Sequence, residues 1–183
     1  AIPQMQDSAE VLDLLADSPT KLLAIIANAR GAVSAAAHER IAILGFPFSI
    51  SETFQLRNTN STLDQALFQL EEIDTVCRAQ KKDLRIYLSM GFGNPYGDAW
   101  SADLVAQWVE KLNQHFEIAE YALSDTIGCA TPQATQALFN TLTSQYPDLR
   151  FAAHLHVVRG QEQALIEAVI AGGCQHFDTA IGG

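Results

Sequence analysis

The chain has 183 residues, 48% of them hydrophobic, which is enough to bury one sizeable core. Its net charge of −10, from 21 acidic and 11 basic residues with no Lys- or Arg-rich block, excludes a nucleic-acid binder built on a basic face. Cys77, Cys129 and Cys174 are odd in number and far apart, which excludes a disulfide framework, and no apolar run approaches a membrane span.

Taken in order, the chain opens with an amphipathic helix through Val11, Leu12, Leu14 and Leu15. Six strands are then predicted: Lys21–Ala27, Arg40–Phe46, Leu84–Met90, Phe116–Ser124, Arg150–Val158 and Cys174–Ile181. The first is nearly all apolar, as befits a strand buried on both faces. Helices fill the gaps. Leu63, Ala66, Leu67, Leu70, Ile73 and Cys77 line one face of a long helix. Leu104, Val105, Trp108, Val109 and Leu112 line another, with Ser101 as its N-cap. Thr131-Pro132 reads as the N-cap and first residue of a third. Ala164, Leu165, Ala168 and Val169 mark a fourth, stopped by Gly172-Gly173.

Strict β-α alternation implies parallel strands joined by right-handed crossovers. An α/β class follows, as a (β/α)8 TIM barrel or an open doubly wound sheet. No G-x-G-x-x-G or G-x-x-x-x-G-K-[ST] follows any strand, which favours the barrel. A complete barrel takes roughly 250 residues. About six strands in 183 residues therefore predict an incomplete barrel forming a single partial domain over residues 1–183. The start at Ala1 and the stop at Gly182-Gly183 read as cuts through a longer protein.

Chemistry in parallel α/β folds sits at the carboxyl ends of the strands, and those ends are polar here. They carry Asn28, then Ser49 to Glu52, Ser89, Ser124-Asp125-Thr126, His154 and His156, and Asp178-Thr179. In Phe151-Ala-Ala-His-Leu-His-Val-Val158 the strand period aims both imidazoles at one spot, as two nitrogen ligands for one metal ion. Asp125 is the best anionic partner, as a ligand or as the group that orients a ligand. Mixed nitrogen and oxygen donors suit Mg²⁺ or Mn²⁺ acting as a Lewis acid. Each residue also has a plainer reading: Asn28 caps the next helix, Asp125 bonds its own turn, and a strand His is a satisfied core residue.

Several segments resemble the 3-hydroxy-3-methylglutaryl-CoA lyases. Leu123-Ser-Asp-Thr-Ile-Gly-Cys-Ala-Thr-Pro132 resembles their L-G-D-T-I-G-x-G-T-P. Ile2-Pro-Gln-Met5 with Asp7 and Glu10-Val-Leu12 resembles V-P-Q-M…E-V-L. Ser51-Glu-Thr-Phe54 with Asn58, Asn60 and Ser61 resembles S-E-x-F…N-x-N-x-S. Tyr87-Leu-Ser-Met-Gly-Phe-Gly-Asn-Pro-Tyr96 resembles Y-V-S-x-x-x-G-C-P-Y. His154-Leu-His156 with Gly160-Gln161 resembles H-C-H…G-Q, and Phe177-Asp-Thr-Ala-Ile-Gly-Gly183 runs toward the glycine-rich loop. The match is colinear over essentially the whole chain.

The resemblance implies a divalent-metal-dependent carbon–carbon lyase that cleaves 3-hydroxy-3-methylglutaryl-CoA to acetoacetate and acetyl-CoA. It implies His154 and His156 as metal ligands, His154 also as a proton carrier, and Asp125 as a catalytic residue supporting the metal. It implies Asn28, Ser89, Thr126 and Arg159 as substrate contacts, with Arg57 a further candidate for CoA phosphates. A cytoplasmic homo-oligomer, dimer or tetramer, working in leucine degradation goes with it, with a small-molecule CoA thioester as partner and neither nucleic acid nor membrane. The family's R-D-G-L-Q strand, its glutamate strand and its G-G-C-P loop lie outside Ala1–Gly183. The acid after H-x-H is Val157 here, and the cysteine of G-C-P-Y is Asn94. Other readings on the same fold are an acyl-CoA condensing synthase, an aldolase of hydroxy-oxo acids, and a non-catalytic barrel, the last favoured by Val157. Synthases follow H-x-H with Asn-Asp, which Val157-Val158 does not match.

Overall fold

The computed structural model describes residues 6–15 and 19–180. The elements run α1 (Ser8–Leu14), β1 (Leu22–Ile25), α2 (Ala29–Ala36), β2 (Ile41–Ser49), α3 (Glu52–Thr59) and α4 (Leu63–Gln80). They continue β3 (Asp83–Ser89), α5 (Ala102–His115), β4 (Ile118–Asp125), α6 (Pro132–Gln145), β5 (Phe151–Leu155), α7 (Glu162–Ala171) and β6 (His176–Phe177). The motif at Ile2–Met5 and the end of the last predicted strand at Ile181 lie outside the described residues.

Every neighbouring pair of strands is parallel, and the order in the sheet is the order in the chain, β1 to β6. Right-handed crossovers that always advance the same way put the helices on one face. A doubly wound sheet would reverse direction once. The chain is therefore singly wound, six strands of a (β/α)8 barrel. Its curl is visible in one contact. Arg85 on β3 and Asp178 just past β6 are three strand spacings apart, about 14 Å along a flat sheet. Their Nη2 and Oδ1 atoms meet at 2.7 Å, so the sheet bends until the two face each other across its hollow.

Local sequence explains the helices. Thr62 opens α4 with a capping box, its hydroxyl accepting from Gln65 N–H while the Gln65 side chain accepts from Thr62 N–H. Ser101 and Thr131 cap α5 and α6 as their sequences predict, with Pro132 in the first helical turn. The expected faces are the buried ones: Ala66, Leu70, Ile73 and Cys77 on α4, Val105, Val109 and Leu112 on α5, Leu165, Ala168 and Val169 on α7. Two expectations need correction. The opening helix buries no residue, and Leu14 is 87% exposed. β1, expected to be buried on both faces, has no buried residue and leaves Ile25 64% exposed, because it is the edge strand of the sheet. The stretch after β2 also forms a helix, α3, whose weak apolar face gives no periodic signal; Ser51 caps it by accepting from Phe54 N–H.

The apolar core fills the space between the helices and one face of the sheet. Leu44, Phe46 and Phe48 of β2, Leu84, Ile86 and Leu88 of β3, and Tyr121 and Leu123 of β4 belong to it. The alternate residues face the hollow, where Tyr87, Ala122 and Ala152 form a separate small cluster. Small neighbours make room for the Tyr87 ring: a Cβ added at Gly45 would stand 2.8 Å from Tyr87 Cε2. Among the described residues no helix is long and apolar enough to cross a membrane.

Candidate active site

Strand register lines up polar side chains at the carboxyl end of the hollow. Ser49 pairs with Ser89, and Ser124 pairs with His154. β5 ends at Leu155, three residues earlier than its β-branched tail predicts, because the chain leaves the strand there. His156 keeps one backbone tie, its N–H donating to Asp125 O at 3.4 Å. The His154 and His156 rings meet edge to face, with centroids 5.3 Å apart and planes at 62°. His154 is half-buried and His156 exposed.

The loop after β4 packs tightly beside this pair. Gly128 has φ 68°, and a Cβ there would meet His156 O at 2.8 Å. Asp125 is 1% exposed, and its carboxylate accepts from Cys129 N–H at 2.9 Å and Ala130 N–H at 3.0 Å. Both oxygens therefore fasten its own turn, the plainer of its two sequence readings. Thr126 Oγ1 accepts from Met90 N–H at 2.9 Å, tying the ends of β3 and β4. Met90 is itself in the left-handed region at φ 60°. Trp100 Nε1–H donates to Gly91 O at 2.9 Å and pins the same loop. Burial, with Asp125 nearby, pushes the Cys129 thiol up to about 11, so it is neutral near pH 7 and is no thiolate nucleophile.

The remaining expected residues sit farther out. Asn28 is exposed and caps α2, its Oδ1 accepting from Gly31 N–H at 2.9 Å. Ser89 is 8% exposed at the end of β3. Arg159 is exposed in the turn after His156. Arg57 stacks on Tyr96, 4.9 Å above the ring centre. No contact joins Asn28, Arg57 or Arg159 to the histidine pair among the described residues. Asp98 clamps the loop after β2: its carboxylate accepts from the Ser51 hydroxyl and from the Thr53 N–H and hydroxyl. The Ser51 bond, then the Thr53 N–H, holds the Asp98 carboxyl below the ordinary aspartate range.

Arg85, Glu120 and His176, which the motifs do not reveal, join His154 and Asp178 in a chain of ionisable groups along the hollow. His154 Nδ1 lies 2.9 Å from Asp178 Oδ2. Arg85 Nη2 donates to Asp178 Oδ1 at 2.7 Å. Arg85 Nε lies 2.9 Å from Glu120 Oε2; that N–H is not aimed at the oxygen, so the contact is an ion pair and not a hydrogen bond. Glu120 Oε1 lies 2.7 Å from His176 Nδ1. Burial raises the Asp178 carboxyl, but the bonds from His154 and Arg85 outweigh it and hold the group below its ordinary range. The one signal in the sequence is a charge at an alternate position of an otherwise apolar strand, Arg85 in Leu84-Arg-Ile-Tyr-Leu88 and Glu120 in Ile118-Ala-Glu-Tyr-Ala-Leu123.

The two imidazoles fit a metal ion as part of its donor set. With His154 Nδ1 engaged by Asp178, the nitrogen left open is Nε2, and His156 stands opposite. Among the described residues no group of three or more His, Cys, Asp and Glu side chains is gathered to hold a metal. The pair thus offers two donors of a larger set.

A singly wound parallel sheet with paired imidazoles at its carboxyl end defines a (β/α)8 barrel protein whose chemistry lies on the strand ends. Comparison with known proteins narrows that class. The HMGL-like family model matches residues 1–183. The 3-hydroxy-3-isohexenylglutaryl-CoA/hydroxy-methylglutaryl-CoA lyase of Pseudomonas aeruginosa is 31% identical over 182 residues, covering 100% of this chain and 60% of its own length. The crystal structure of the Bacillus subtilis HMG-CoA lyase superposes with a TM-score of 0.90 at 28% identity, covering 100% of this chain and 61% of that one. An HMG-CoA lyase from Acinetobacter baumannii in complex with coenzyme A and 3-methylmalate gives a TM-score of 0.86 at 27% identity, over 100% of this chain and 59% of that one. The chain belongs to the HMGL-like family. It spans about 60% of the length of the relatives it matches.

Proposed function

We propose that residues 1–183 are a partial barrel catalytic domain of a divalent-metal-dependent lyase that cleaves 3-hydroxy-3-methylglutaryl-CoA to acetoacetate and acetyl-CoA. The observation that carries this reading is the His154–His156 pair, 5.3 Å apart in the hollow of a barrel sheet whose family includes such lyases. A Mg²⁺ or Mn²⁺ ion held by His154 and His156 would polarise the tertiary alcohol and lower its pKa. These two imidazole nitrogens would be part of its donor set, with the remaining positions open to water and substrate oxygens.

The chain's own residues do the rest. A base takes the hydroxyl proton, the carbon–carbon bond breaks, and its electron pair passes to the thioester enolate, which is then protonated to give the acetyl methyl. His154 would hold the metal through its open Nε2, and it is placed to carry a proton whenever that atom is not ligating. Asp125 acts by closing the 125–130 turn that sets Gly128 against the His156 carbonyl. Ser89 and Thr126, at the ends of β3 and β4, meet the acyl portion through their hydroxyls. Asn28 retains its side-chain NH₂ for a substrate oxygen, and Arg159 and Arg57 offer charge to CoA phosphates. A CoA thioester partner is supported by the coenzyme A bound in the Acinetobacter baumannii relative. A cytoplasmic homo-oligomer, dimer or tetramer, serving leucine degradation completes the proposal; three free thiols support the reducing compartment.

The test is incubation of the full-length protein with hydroxymethylglutaryl-CoA and Mg²⁺ or Mn²⁺, with acetoacetate and acetyl-CoA measured. A parallel arm with acetyl-CoA and 2-oxo acids distinguishes a synthase. His154→Ala and His156→Ala should each lower the rate by on the order of 10²–10³-fold with circular dichroism unchanged. Near-normal turnover by either variant with added metal overturns the assignment.

A further inference from the structure

The contacts around His154 close into a ring. Asp178 Oδ2 meets its Nδ1 at 2.9 Å, and Arg85 Nη2 meets the other oxygen of Asp178 at 2.7 Å. The Arg85 guanidinium lies 4.9 Å over the Tyr87 ring. Tyr87 in turn stands edge-on to the His154 ring, with centroids 5.3 Å apart and planes at 80°. One side of the imidazole is thus fixed along its Nδ1 bond and another across its face. Two constraints in different directions leave the ring little freedom to rotate or flip.

We propose that Arg85 and Asp178 act as positioning residues that hold His154 with its proton on Nδ1 and its Nε2 turned toward His156. The reason is chemical. A carboxylate that already accepts a charged hydrogen bond from a guanidinium can offer its second oxygen only as an acceptor. The imidazole nitrogen facing it must then donate, which leaves Nε2 bare in the neutral ring. Arg85 is suited to this by its charge and its fork: Nη2 donates to Asp178 while Nε lies 2.9 Å from Glu120 as an ion pair, so the guanidinium sits between two carboxylates, one on β4 and one just past β6. It is 8% exposed, and its buried Nε has no hydrogen-bond partner, so Glu120 compensates that atom by charge alone. A lysine, a point charge on a flexible stem, cannot grip both carboxylates with fixed geometry.

The inference rests on His154 being a working ligand, and the experiment separates the two claims. Metal-free full-length protein is labelled with ¹⁵N histidine, and the His154 tautomer is read by NMR at a pH where the ring is neutral. Mn²⁺ affinity is measured by calorimetry on the same samples. Wild type should show His154 protonated on Nδ1. Asp178→Asn and Asp178→Ala should mix the two tautomers and weaken Mn²⁺ binding about 10–100-fold, with near-ultraviolet circular dichroism preserved. Arg85→Gln should do the same to a smaller extent, and Arg85→Lys should restore part of the loss. If the tautomer in both Asp178 variants matches wild type, the positioning role is overturned, whatever the metal does. If His154→Ala leaves Mn²⁺ affinity unchanged, the metal reading fails instead, and the tautomer readout still decides the role of Arg85 and Asp178.

Discussion

On β3, Leu84, Ile86 and Leu88 pack against the helices, while Arg85, Tyr87 and Ser89 face the hollow. β4 repeats the division, with Tyr121 and Leu123 on one side and Glu120, Ala122 and Ser124 on the other. The helix side is held by area removed from water, which is additive and tolerant of which apolar residue supplies it. The hollow side is held by specific pairs whose loss strands a buried charge. Neighbouring residues of one strand therefore differ in what their removal does.

The sharpest contrast is between Leu88 and Ser89. Leu88 is fully buried on the helix side, and Leu88→Ala should cost about 2–5 kcal/mol in urea unfolding while leaving kcat/KM of the folded fraction intact. Ser89→Ala should cost about 1 kcal/mol or less and instead raise KM for the CoA thioester. A Ser89 variant with unchanged kinetics would remove that residue from the site. Gly128→Ala blurs the contrast on purpose. The left-handed backbone penalises the new Cβ by about 1–2 kcal/mol, and the His156 carbonyl 2.8 Å away must move. A lower melting temperature together with weaker Mn²⁺ binding is expected; lost stability with unaltered metal affinity would show that His156 does not feel the loop.

The smallest effect concerns Asp98, at the rim. Its folded carboxyl is held below the ordinary range, so the stability it adds is full above about pH 4 and fades as pH falls through its folded pKa. The stability gap between wild type and Asp98→Asn should therefore narrow in acid. A gap that is flat with pH would mean the Ser51 and Thr53 bonds do not depend on its charge.

Much of the fold was legible in the sequence. The 3.6-residue period exposed the buried faces of α4, α5 and α7, and the caps at Ser101 and Thr131 fixed where helices begin. Singly wound order followed from alternation with no phosphate-cradling loop. Strand ends were less legible. Val157 and Val158 favour a strand by composition, yet β5 stops at Leu155, and the His156 carbonyl that follows packs against Gly128 of the neighbouring loop. At the site, His154 and His156 were readable because one strand period joins them. The Arg85–Asp178 contact was not, since 93 residues and the curl of the sheet separate its halves. Asp125 reads as the acid beside the imidazoles, and each of its oxygens also accepts an N–H of its own turn, from Cys129 and Ala130. Local turn bonding and catalytic duty leave the same mark in a sequence.

Inside the hollow, Asp178 and Glu120 confront a single guanidinium, Arg85. With neutral imidazoles this ion-paired group carries one net negative charge. That excess favours a cation beside it and disfavours an anion. On the proposed function, a metal held by the imidazoles would offset this charge where the thioester is to sit.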